Sequence, residues 1–139
     1  MTISPDTARL LGSVSLFSGV PPRQLRKLAE SSREAVFAAG DKVAGEGEAG
    51  IAFYLIVSGA ADVTLRGQDL AHLGPGDYFG EISVIDGKPR TATVTATEPL
   101  TTLTLPRMVF EDLLESDPVV TRALLLEMCS RLRSLDDRI

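Results

Sequence analysis

The sequence predicts an α+β chain that is mostly β. The expected architecture is an antiparallel β-roll of jelly-roll, or double-stranded β-helix, type, flanked by N-terminal helices and two C-terminal helices. Three observations predict it. Between residues 34 and 105, short runs rich in Val, Ile, Thr, Phe and Tyr are separated by glycines at 40, 45, 47, 50, 59, 67, 74 and 76, the pattern of many short strands joined by tight turns. Before residue 32 the apolar residues fall at helical spacing. The same spacing returns after Pro106.

Residues 6–32 read as two helical pieces. Leu10, Leu11, Val14, Leu16 and Phe17 supply the apolar side of the first, which Gly19 and Pro21-Pro22 break; Pro22 suits the start of the second, with Leu25 and Leu28 on one face. Ala61 to Leu73 reads as a hairpin turning at Arg66–Asp69, and Thr91 to Leu105 has the two-residue period of a half-buried strand. Met108, Phe110, Leu113 and Leu114 mark a short helix. Ser116-Asp117-Pro118 then stops and restarts the helix, with a capping side chain followed by proline at the first helical position. Length places all of 1–139 in one domain: helices 6–32, roll 34–105, helices 106–139.

Composition narrows the function. Nineteen acidic residues against fourteen basic ones give a net charge of -5, which repels phosphate backbones and argues against direct nucleic-acid contact. Any phosphate must be held locally. Cys129 is the single cysteine, so no internal disulfide forms, and it is expected as a small core residue on a helix. There is no signal-peptide pattern and no apolar run near the ~18 residues a membrane helix needs. These features predict a cytoplasmic protein without membrane insertion. One histidine, His72, cannot build a histidine-based metal centre of the cupin kind, and no nucleophile elbow is present. No catalytic residue, metal or cofactor is therefore expected.

Residues 79–94, FGEISVIDGKPRTATV, carry the chemistry. Gly76 and Gly80 free the backbone for close approach. A short helix starting near Glu81 presents N–H groups that bind anions. Arg90 can fork onto the same anion, while the Glu81 carboxylate suits a neighbouring hydroxyl. An anion beside a hydroxyl describes a ribose cyclic phosphate. The same residues also allow plainer roles: Glu81 as a helix cap, Arg90 paired with Asp86, Thr91 as a strand residue.

This segment resembles the phosphate-binding cassette of the cyclic-nucleotide-binding domain family, which includes regulatory subunits of cyclic-AMP-dependent protein kinase and catabolite-activator-type bacterial regulators. SLFSGV at 15–20, AGDKVAGEGEAG at 39–50, FYLIVSGAADV at 53–63 and LGPGDYFGE at 73–81 follow the family's order. Within the cassette, 79–92, the resemblance implies that Glu81 accepts from the ribose 2′-hydroxyl and that the Ile82 and Ser83 N–H groups cap the phosphate. It also implies that Arg90 pairs with the phosphate charge and that Gly80 admits the ligand closely. Val63 and Leu70 would line base and sugar, with Thr91 near the purine.

The family's last helix covers the base. The matching lid residues here are Leu132, Leu135 and Asp136; relatives of the catabolite-activator type carry hydroxyls where Leu135 and Asp136 stand. By analogy cyclic AMP is expected over cyclic GMP. The resemblance implies a sensor whose C-terminal helix moves on binding and reports to an effector the sequence does not name. Leu125, Met128, Leu132, Leu135 and Ile139 follow a 3-4 spacing that suits either a homodimer seam or a helix laid on its own roll. The alternatives are an interaction module that kept the fold and lost the ligand, and the sensor half of a Crp/Fnr-like regulator lacking its DNA-binding domain. The Met1 start reads as native; the end at Ile139 leaves a free-standing or a truncated sensor open.

Overall fold

Glycine-punctuated runs of β-branched and aromatic residues become eight strands among the described residues. They are β1 (Arg33–Phe37), β2 (Lys42–Ala44), β3 (Ala52–Ser58), β4 (Ala61–Leu65), β5 (Gln68–Leu73), β6 (Tyr78–Phe79), β7 (Thr93–Ala96) and β8 (Leu100–Pro106). The structure is a computed structural model and describes residues 5–135. The strands pair antiparallel in two sheets, ordered β1-β8-β3-β6 and β2-β7-β4-β5. The chain divides into two units, residues 31–111 and a second unit made of residues 1–30 and 112–139.

In the strand unit, β3 is the central element. Its residues Ala52 to Ile56 are all buried, so both faces of the strand are covered. Ala52, Tyr54 and Ile56 point into a core shared by the two sheets, with Ala44, Ala61, Phe79, Val94, Ala96 and Leu100. Phe53 points the other way and stacks on Phe110, at 4.6 Å between ring centroids. Tyr54 stacks on Phe79 at 4.8 Å.

Two strand expectations change. The hairpin turns on two residues, Arg66 (φ 52°) and Gly67 (φ 80°), because left-handed backbone at both positions matches the twist of the flanking strands. Gln68 and Asp69, expected in the turn, already pair with Leu65 and Thr64. Thr91 to Leu105 is not one strand: β7 belongs to one sheet and β8 to the other. Pro99, between them, has no N–H to give a ladder, and its carbonyl packs so tightly on Gly59 that a Cβ there would lie 2.1 Å away.

The second unit is helical. It contains α1 (Pro5–Gly12), a 3-10 turn (Ser15–Phe17) and α2 (Pro22–Ser31). The short helix α3 (Glu81–Asp86) belongs to the strand unit; α4 (Arg107–Ser116) leads from that unit into α5 (Pro118–Leu135). Leu16 and Phe17 sit in the 3-10 turn rather than on the first helix. The restart at 116–118 is as expected: Asp117 Oδ1 accepts from the N–H groups of Val119 at 3.0 Å and Val120 at 3.4 Å, capping α5 ahead of its first turn. Val120 and Leu124 form the buried stripe of α5. Cys129 falls off that stripe and is exposed, contrary to expectation. Of the expected seam, Leu125 and Leu132 are exposed, Met128 is half-buried, and Ile139 lies outside the described residues. No helix among them is long and apolar enough to cross a membrane.

Candidate functional site

Strand β6 delivers the chain to Gly80, whose left-handed backbone (φ 94°, ψ -3°) begins α3. Only glycine fits there. A Cβ would lie 2.6 Å from the Ala52 carbonyl oxygen and 2.7 Å from Arg90 Nη1. Gly80 offers no side-chain cap, so the first-turn N–H groups of α3 keep the partial positive charge of a helix start. Glu81, Ser83 and Val84 face inward, with Glu81 only 3% exposed, while Ile82 and Ile85 face out. Gly87 (φ 71°) ends the helix and donates its N–H to Ser83 O at 3.0 Å.

Arg90 is the organising side chain. It is 8% exposed. Nη1 donates to Gly80 O at 3.2 Å and Nη2 to Ala52 O at 3.0 Å, and the guanidinium carbon stands 5.7 Å from the Tyr54 ring centroid. Its backbone is held from both sides by the loop between β2 and β3: Arg90 N–H donates to Glu48 O at 2.7 Å, and Gly47 N–H donates to Arg90 O at 2.9 Å. Gly50 of the same loop lies so close to α3 that a Cβ would meet Ser83 Cβ at 2.3 Å. Among the described residues no carboxylate forms an ion pair with Arg90. A buried cation met only by dipoles and a ring favours an incoming anion strongly. The alternative pairing with Asp86 does not occur; Asp86 Oδ1 instead accepts from the Lys88 N–H at 2.8 Å.

Of the residues singled out from sequence, Gly80, Glu81, Ile82, Ser83 and Arg90 therefore gather around the start of α3. Thr91 is exposed immediately after Arg90 and precedes β7. Val63 and Leu70 share the β4–β5 hairpin. Val63 packs partly against the inter-sheet core, while Leu70, on the edge strand, is 58% exposed. Leu132 is an exposed residue of α5; the side chain of Leu135, and Asp136, lie outside the described residues. His72, also on β5, pairs with Asp62 across the hairpin at 2.5 Å. That hydrogen bond, with the Asp62 charge, raises the imidazole pKa above its ordinary value. No group of three or more metal-ligating side chains occurs among the described residues.

Sequence reasoning missed the supports of Arg90: Ala52, Tyr54, Gly47, Glu48 and Gly50. The glycine-rich run 39–50 signalled close backbone approach. That it approaches α3 and Arg90 depends on sheet pairing, which no local pattern carries.

Comparison with known proteins fits this geometry. The family model described as the cyclic nucleotide-binding domain matches residues 34–117. The cAMP-dependent protein kinase regulatory subunit of Eremothecium gossypii is 42% identical over 111 residues, covering 79% of this chain and 24% of that protein. The CRP-like cAMP-activated global transcriptional regulator of Mycobacterium tuberculosis is 29% identical over 135 residues, covering 94% of this chain and 60% of the relative. The regulatory domain of Toxoplasma gondii PKA, solved with cAMP, superposes with a TM-score of 0.81 at 30% identity, covering 91% of this chain and 49% of that one. The chain thus spans under two thirds of the length of these relatives, which are regulatory proteins. By sequence and by fold, the chain belongs to the cyclic nucleotide-binding domain family.

Proposed function

We propose that the chain, residues 1–139 acting together, is a sensor that binds a cyclic nucleotide, cyclic AMP in preference to cyclic GMP. The observation that carries the reading is the buried Arg90 guanidinium, held by two carbonyls beside the open start of α3. In this reading the cyclic phosphate takes Arg90 and the N–H groups of Ile82 and Ser83. Glu81 accepts from the 2′-hydroxyl, and Gly80 lets the sugar approach. Thr91, Val63 and Leu70 meet the purine and sugar, with Leu132, Leu135 and Asp136 of the C-terminal segment as the lid. Relatives named for cAMP support the adenine preference. The protein acts by binding rather than catalysis, in the cytoplasm. Its output is a shift between two arrangements of the C-terminal helix, which requires different ligand affinity in each. The exposed Leu125 and Leu132 support self-association through that helix, and an effector protein or domain reads the change.

Titration calorimetry with Arg90→Ala tests the reading. Losing a charge-assisted pair costs about 1.5–3 kcal/mol, so cyclic AMP affinity falls at least about tenfold. Unchanged affinity in a variant that still melts cooperatively contradicts it.

A further inference from the structure

Two groups of expected ligand residues stand on different parts of the roll: those around the start of α3, and Val63 with Leu70 on the β4–β5 hairpin. One side chain outside both groups ties them. Glu46 Oε1 accepts the Arg66 N–H at 2.8 Å, at the tip of the hairpin. The Glu46 N–H donates to Thr93 Oγ1 at 3.1 Å, at the start of β7. The next two residues bracket Arg90 through Gly47 N–H and Glu48 O. The tether falls where it is needed. β5 is an edge strand with β4 as its one neighbour, and Arg66 holds a left-handed backbone (φ 52°), which costs a residue with a side chain. An ionised acceptor for its amide steadies that turn.

We propose that Glu46 is a positioning residue: its carboxylate fixes the hairpin relative to the Arg90 loop, and so sets the reach between the phosphate side and the base side of the site. It then distinguishes ligands that span both sides from ligands that fill the phosphate side alone. This rests on the cyclic-nucleotide reading above. Glu46→Ala removes only the side-chain acceptor; the backbone bonds at 46, 47 and 48 do not need the carboxylate. Glu46→Gln keeps an oxygen that can accept from Arg66.

The test is calorimetric titration of wild type, Glu46→Ala and Glu46→Gln with cyclic AMP and with the base-free methyl riboside of the cyclic phosphate. Amide exchange at Arg66 is followed in each ligand-free protein. The expected result is a fall of about fivefold for cyclic AMP in Glu46→Ala, the worth of one hydrogen bond. The base-free ligand is unchanged, and Arg66 exchanges faster. Glu46→Gln restores affinity and protection. Equal losses for both ligands, or no loss while wild type binds, overturn the positioning role and leave the cyclic-nucleotide reading standing. Wild type binding neither ligand overturns both.

Discussion

The two sides of the site are built differently. Around Arg90 every group is fixed: Gly80 and Gly50 admit no Cβ, and the guanidinium is buried between the Ala52 and Gly80 carbonyls. The hairpin side has β4 paired with β7, β5 as an edge strand, an exposed Leu70 and a side-chain tether from Glu46. Preorganised groups discriminate more sharply than groups that can relax. In the proposed binding mode, selectivity for the cyclic phosphate and its sugar falls on the rigid side and the base meets the softer one.

Breaking the rigid side has the largest effect. Gly80→Ala forces a side chain into left-handed backbone against Ala52 O and Arg90 Nη1, a strain of about 1–3 kcal/mol before the displaced arginine is counted. Its melting midpoint drops, and calorimetry shows cyclic AMP affinity lower by about a hundredfold or more. Arg90→Lys keeps the charge but not the fork that serves both carbonyls. Its affinity falls by roughly tenfold, less than in Gly80→Ala. On the soft side, Leu70→Ala removes a largely exposed side chain and changes affinity by less than about threefold. A Leu70→Ala loss larger than that of Arg90→Lys reverses the contrast.

The smallest effect is at the Asp62–His72 pair. The imidazole pKa is raised from 6.5 by the Asp62 hydrogen bond and charge. The pair's stabilisation is therefore fully present below 6.5 and is lost as pH rises through the raised folded value. With the His72 side chain 76% exposed, the change is slight. Asp62→Asn should flatten that part of the melting-midpoint profile and leave cyclic AMP affinity unaltered.

The sequence made the rigid side legible because its constraints are local. A left-handed glycine, a helix start and an arginine lie within eleven residues, Gly80 to Arg90, and each type has its own physical reason. The order helix, roll, helix was legible for the same reason, through changes of period. The corner at Pro99 was misread because the Thr alternation continues past it; the proline's missing N–H was the available signal. The supports at Ala52, Gly50 and Glu46 were not legible. They act across tens of residues through carbonyls, amides and close packing, and such contacts leave almost no trace in residue type. Cys129 shows the limit of composition: free cysteine tends to be buried, yet its place around α5 decides otherwise.

The most direct measurement of the central contrast is calorimetry of the wild-type protein with cyclic AMP, cyclic GMP and the 2′-deoxy form of cyclic AMP. In the proposed binding mode the 2′-hydroxyl meets the buried Glu81 carboxylate, so removing it is predicted to cost at least about tenfold in affinity. Exchanging the base against the softer hairpin is predicted to cost less than about fivefold. A base exchange that costs more than loss of the hydroxyl contradicts the account.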